Sequence, residues 1–200
     1  MGVDDKSKRR FLVASTSVVG AVGVGFAVWP FLASLKPSAK TQAAGAPVEA
    51  DISQLEDGQQ MTVEWRGKPV WIVKRTEKIL ADLKSDPLIA KLSDPDSSVT
   101  DQQPAYAQNP NRSIKAEYLV VIGICTHLGC SPTYVKENDP HDLGSDWVGG
   151  FFCPCHGSFF DLAGRVFSGV PAPTNLVVPP HTYLSDTRIL VGIDQDKGAA

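Results

Sequence analysis

Cys125-Thr126-His127-Leu128-Gly129-Cys130 and Cys153-Pro154-Cys155-His156-Gly157-Ser158 contain all four cysteines of this 200-residue chain and two of its four histidines. Each hexapeptide offers one Cys/His pair at metal-ligand spacing and one further cysteine. In an extended backbone the side-chain period is two, so Cys125 and His127 leave the same side of the chain. Cys153 and His156 stand three apart across Pro154-Cys155, a tight loop spacing that turns both toward one point. Gly129 and Gly157 supply the permissive backbone such loops need. The apolar runs 118–124 and 147–152 lead directly into the two hexapeptides and read as buried strands. Pairing of those strands would bring the two ligand sets together.

The surrounding sequence predicts a mainly β head. Residues 61–65 and 69–74 alternate apolar with polar and flank Arg66-Gly67, which predicts a hairpin. Ile79, Leu80 and Leu83 fall at helical spacing within residues 76–84. Residues 85–112 are polar, carry four prolines, and read as a surface insertion. Residues 176–178, 183–185 and 188–193 read as closing strands, the last two turning across Asp186-Thr187. Many short strands separated by turn residues predict an antiparallel β-sandwich or barrel.

Residues 11–35 contain no charge and are long enough to cross a bilayer as one helix. Ala44-Gly45-Ala46 resembles a signal-peptidase site, but it lies well past the end of an apolar run longer than the usual signal core of about 7–15 residues. A retained transmembrane anchor is therefore expected. Lys6, Lys8, Arg9 and Arg10 precede it, which by the positive-inside rule leaves residues 1–10 in the cytoplasm and the head on the periplasmic side of a bacterial inner membrane. Ser7-Lys8-Arg9-Arg10-Phe11-Leu12 also resembles a twin-arginine export signal, with Lys8 in place of the first arginine. Ser17, Ala21 and Gly25 line one helical face at a spacing that lets another membrane helix approach. Residues 36–50 have almost no bulky apolar side chain and read as a tether reaching on the order of 20 Å as a coil. The head is then expected over residues 51–200. The net charge of −3 and the lack of a Lys/Arg stripe give no sign of a nucleic-acid partner.

Three chemistries fit the hexapeptides. Two cysteines and two histidines are the ligand set of a structural zinc site, but Cys-x-His is an unusual zinc-finger spacing and leaves one cysteine per loop unexplained. A pure disulfide framework leaves both histidines without a role. A 2Fe–2S centre held by two cysteines and two histidines uses both pairs.

The motifs CTHLGC and CPCHGS resemble those of the Rieske iron–sulfur subunit of bacterial quinol–cytochrome c reductases, the cytochrome bc complexes. The resemblance extends over the whole chain, from basic N-terminus and single anchor to small-residue tether and β-rich head. It includes Gly164-Arg165-Val166 and the Gly169-Val170-Pro171-Ala172-Pro173 stretch, similar to the family's proline-rich loop. It implies one Rieske 2Fe–2S cluster, with Cys125 and Cys153 on one iron and His127 and His156 on the other. It also implies a Cys130–Cys155 disulfide, which Rieske ferredoxins generally lack. His156 would hydrogen-bond the quinol; Leu128 would shield the cluster or serve in simple packing. Cytochrome b and a c-type cytochrome would be the partners, and an electron coupled to a proton would be taken from ubiquinol. Ser158 matches the serine whose hydroxyl bonds a bridging sulfide. Phe160 departs from the family's tyrosine, which donates to a cysteine sulfur. His141 and His181, outside the motifs, are expected in ordinary polar roles, and Trp147 and Tyr134 in packing. An exported, zinc-bound or disulfide-stapled binding domain, or the Rieske subunit of a plastoquinol-oxidising complex or an arsenite oxidase, are the competing readings.

Overall fold

The computed structural model describes residues 5–39, 41, 45–194 and 198–199, and its contacts divide the chain into two units, Met1–Ala43 and Ala44–Ala200. The first is built on α1 (Lys6–Ser34), capped by the Asp5 carboxylate accepting from Ser7 N–H. Its 29 residues span about 43 Å at 1.5 Å per residue. Among the described residues it is the one helix long and apolar enough to cross a membrane. None of its side chains is buried, and Pro30 lies within it.

Among the described residues the second unit is made from three three-stranded antiparallel sheets and one two-stranded pair, and the sheet of β2, β3 and β4 serves two cores. That sheet pairs β2 (Gln60–Trp65), β3 (Lys68–Lys74) and β4 (Tyr118–Ile122) in the order β2-β3-β4. Alternate residues of β3 and β4 face opposite ways. Val70, Ile72, Val120 and Ile122 join Ala50, Ile52, Ile189 and Val191 in one core. Trp71, Val73, Leu119 and Val121 join Phe151, Phe160, Cys125 and Cys153 in the other. This double burial explains why residues 118–122 are apolar throughout instead of alternating.

The first core is closed by β1 (Val48–Asp51), β8 (His181–Ser185) and β9 (Arg188–Val191), in the order β1-β9-β8. The second is closed by β5 (Thr133–Val135), β6 (Gly150–Cys153) and β7 (Ser158–Phe160), in the order β5-β6-β7. A short pair, β10 (Ile193–Asp194) with β11 (Gly198–Ala199), ends the chain's strands.

The predicted hairpin is β2–β3. Trp65 opposes Lys68, leaving Arg66 and Gly67 as a two-residue loop with φ of 53° and 70°, the type I′ pattern that matches strand twist. The predicted helix is α2 (Glu77–Asp82), started by Thr76 Oγ1 accepting from Ile79 N–H at 3.2 Å.

Four expectations need correction. The tether expected over residues 36–50 includes residues 40 and 42–44, which lie outside the described set, and its far end is folded. Val48, Glu49 and Ala50 pair with Val191, Leu190 and Ile189, and Ala50 is only 2% exposed, so the head begins before Asp51. Residues 85–112 are not a surface insertion. They include α3 (Asp86–Ile89); its Leu88, together with Leu92 and Ala107, is a core residue, and Arg112 is fully buried. Residues 176–178 form no strand, although Val177 O accepts from Ile122 N–H at 2.8 Å. The strand expected from Trp147 begins at Gly150, because Trp147 turns onto Phe159 and Phe167 and donates from its indole to Val135 O.

Candidate metal centre

The first hexapeptide leaves β4 and the second joins β6 to β7, so the second core lies beneath both. The two loops close in the same way. Gly129 N–H donates to Cys125 O at 3.0 Å, and Gly157 N–H to Cys153 O at 2.9 Å. Each glycine lies four residues after its cysteine with positive φ (83° and 74°), a conformation that penalises a Cβ. Cys125 N–H also donates to Cys130 O at 2.7 Å, drawing the first loop into a ring.

Cys130 and Cys155 form a disulfide between the loops, with Cα atoms 6.7 Å apart. Cys125 and Cys153 remain as thiols, both buried. The Cys130, Cys153 and Cys155 sulfurs lie within 4.8 Å of one another, but two of them are oxidised and offer no thiolate. Burial pushes the Cys125 thiol pKa up, opposed by the His127 backbone N–H, while the neighbouring Cys153 thiol raises it further and the Ser158 hydroxyl lowers it. The His127 and His156 rings meet edge to face with centroids 4.7 Å apart. His127 Nδ1 is buried without a hydrogen-bond partner among the described residues, as suits a nitrogen reserved for a metal. His156 is exposed.

The two thiols thus neighbour each other, and the two imidazoles meet, on two loops joined by a disulfide. Leu128 is 71% exposed, so its side chain is not packed into either core. Ser158 is fully buried, and its Oγ accepts from Ala172 N–H at 3.0 Å. Phe160 is fully buried two residues further along β7, paired with Phe151.

Other residues of the site gave no motif signal. Thr126 Oγ1 donates to Thr174 O at 2.7 Å, tying the first loop to residues 169–175, as Ser158 ties the second. Trp71 lies flat beneath Gly123, where a Cβ would come 2.1 Å from the indole, and stacks on Phe151 at 5.0 Å. A glycine between an apolar strand and a cysteine loop was the available clue.

His181 is buried, with Nδ1 2.9 Å from Pro179 O, and burial lowers its pKa. His141 sits on its own loop, accepting from Leu143 N–H. Tyr134 donates to Gly58 O, and burial pushes its pKa up to about 12.

The family model described as Rieske [2Fe-2S] domain matches residues 46–180. The one described as Ubiquitinol-cytochrome C reductase Fe-S subunit TAT signal matches residues 2–38. The ubiquinol-cytochrome c reductase iron-sulfur subunit of Allochromatium vinosum is 66% identical over 197 residues, covering 98% of this chain and 92% of that protein. The subunit of the same name from Rhodospirillum rubrum is 45% identical over 188 residues, covering 94% and 93%. That of Bradyrhizobium diazoefficiens is 43% identical over 189 residues, covering 94% and 96%. With the Rieske domain matched over two thirds of its length and relatives aligned nearly end to end, this chain belongs to the Rieske family of ubiquinol–cytochrome c reductase iron–sulfur subunits.

Proposed function

We propose that this chain is the electron-transfer subunit of a ubiquinol–cytochrome c reductase, taking an electron coupled to a proton from ubiquinol and passing it to a c-type cytochrome. The observation that carries this reading is a pair of buried free thiols and a pair of facing imidazoles on two loops joined by a disulfide. That donor set fits a Rieske cluster, with Cys125 and Cys153 on one iron and His127 and His156 on the other. When bound, the 2Fe–2S cluster supplies a one-electron acceptor whose potential is high because neutral imidazoles replace two thiolates.

The chain's own residues supply the rest. The buried cysteines keep their sulfurs from water, and the Cys130–Cys155 disulfide fixes the loops that carry the ligands. The exposed His156 ring is the group a quinol hydroxyl can reach, placing the transferred proton at an imidazole nitrogen. Exposed Leu128 offers an apolar surface next to His127, suited to a quinone ring. The Ser158 hydroxyl donates toward sulfur and stabilises added negative charge. Cytochrome b and a c-type cytochrome are the proposed partners. Residues 11–35 anchor the chain in a bacterial inner membrane, residues 1–10 remain cytoplasmic, and the head faces the periplasm.

Electron paramagnetic resonance of the dithionite-reduced, full-length protein tests the cluster. A rhombic signal with low average g, together with two irons per chain, is expected. A silent spectrum with stoichiometric zinc would favour the structural-metal reading and overturn this one.

A further inference from the structure

Residues 169–175 cross the site between the two ligand loops, yet they are poorly equipped to hold themselves. Pro171 and Pro173 have no N–H to donate, and the stretch forms no strand. Besides the Thr126 and Ser158 bonds to the ligand loops, its flanks are anchored by residues 85–112. On the near side, Ser93 N–H donates to Val166 O (2.9 Å) and Ser168 N–H to Lys91 O (2.7 Å). On the far side, Val178 N–H donates to Gln102 O (2.8 Å), and Arg112 Nη2 to Leu176 O (2.8 Å).

Asn175 joins the two sides. It is 1% exposed, and its Oδ1 accepts from Val166 N–H at 2.8 Å. Its Nδ2 donates to Asp94 O (3.1 Å) and Ser97 Oγ (3.3 Å). Ser97 and Arg112 are themselves buried with φ of +52° and +48°. Non-glycine residues hold that conformation only where their surroundings over-determine it. Here both direct their side chains at the segment that follows the second ligand loop.

This bracing has a consequence at the ligands. Ala172 N–H occupies a lone pair of Ser158 Oγ. The hydroxyl's single proton is then left for the sulfur side of the site. We propose that Asn175 is a positioning residue: by locking residues 169–175 to residues 94–97 it holds Ala172 N–H against Ser158, aims that hydroxyl, and so gives residues 85–112 a part in setting the redox potential. The proposal rests on the reading that the site holds a 2Fe–2S cluster.

The test is a double-mutant cycle on the full-length chain in its membrane complex, read by redox titration under electron paramagnetic resonance. A wild-type sample without the mixed-ligand signal would refute the cluster reading itself and is thereby distinguished from failure of the positioning role. Asn175→Ala is expected to lower the midpoint potential and shift the g values at unchanged iron content. Ser158→Ala lowers the midpoint on its own, and adding Asn175→Ala to it should lower it no further. A wild-type midpoint in Asn175→Ala, or a fall that adds fully to that of Ser158→Ala, overturns the proposal. Should Asn175→Ala fail to load iron, Ser97→Ala removes one of the two acceptors of Asn175 Nδ2 on the 85–112 side and leaves Asp94 O in place. Its midpoint must fall in the Ser158 background and not in the Ser158→Ala background, and any other pattern overturns the proposal.

Discussion

Phe160→Tyr restores the hydroxyl that the family pattern carries two residues beyond the serine. Ser158 and Phe160 alternate along β7, so both side chains leave the same face of the strand. Both are fully buried, and Phe160 shares a core with Cys125 and Cys153. A hydroxyl added there has no water to turn to. Left unpaired it destabilises the fold by about 1–3 kcal/mol. Donated to a cysteine sulfur it forms a hydrogen bond of about 0.5–1.5 kcal/mol that strengthens when the site gains an electron. For a one-electron couple that energy corresponds to a rise in midpoint of about 20–65 mV. Redox titration of the variant beside the wild type should show a rise in this range, with thermal unfolding almost unchanged. An unchanged midpoint accompanied by a lower melting temperature would mean the hydroxyl is buried without a partner. Phenylalanine in place of tyrosine would then have no effect on the potential.

The Cys130–Cys155 disulfide closes a separation of 25 residues, so replacing both by serine should cost about 3.5 kcal/mol by the chain-entropy relation, measured by denaturant unfolding; a loss under about 1 kcal/mol would show that the loops hold together without it. Gly123→Ala drives a Cβ into the Trp71 indole, and overpacking of about 1–3 kcal/mol should lower melting temperature and iron loading together; Trp71→Leu in the same chain should restore part of both. His181 is held neutral by burial, so its folded pKa lies below its unfolded value of about 6.5. The unfolded chain therefore binds the extra proton first, and stability present above about pH 6.5 is lost as the pH falls below it. His181→Phe should flatten that part of the melting-temperature profile, and an unchanged slope would assign the pH dependence to another group. Deleting three residues between Lys36 and Pro47 should slow turnover while leaving the resonance spectrum intact, if the head moves between partners.

The parts of the fold that could be read in the sequence are those with a local cause. The alternating runs that flank Arg66-Gly67 predict the hairpin, which closes with both loop residues at positive φ. Ile79, Leu80 and Leu83 predict the helix by their spacing, and Thr76 starts it by accepting from Ile79 N–H. The ligand loops were legible for a similar reason, since residue type and spacing carry the chemistry. Strand ends failed where a side chain had a better place off the ladder. Trp147 looks like the first residue of a strand, but its ring stacks on Phe167 and its indole bonds Val135 O. Residues 176–178 are apolar enough for a strand, yet Leu176 N–H goes to Gly164 O and Val178 N–H to Gln102 O, on two different neighbours.

The largest misreading, residues 85–112, has a physical explanation that also links the fold to the site. A polar, proline-rich stretch looks like surface because sequence patterns register only hydrophobic burial. Arg112 is buried for another reason. Its guanidinium donates to Ala163 O, Gly164 O and Leu176 O, carbonyls that have no ladder to enter. Arg75 does the same for Leu162 O and Asn111 O, and Arg165 for Leu83 O while pairing with Asp161. These carbonyl bonds join residues 36 to 87 apart and leave no period to detect. Desolvation lowers the Arg75 and Arg112 pKa values to about 10, well above neutrality, so both stay charged and keep donating. A site covered by a loop with two prolines cannot draw its order from a backbone ladder; the missing hydrogen bonds must come from side chains elsewhere. In this chain many come from the stretch that looked least structured, so the polarity that hid residues 85–112 is also the means by which they brace the segment that lies over the ligand loops.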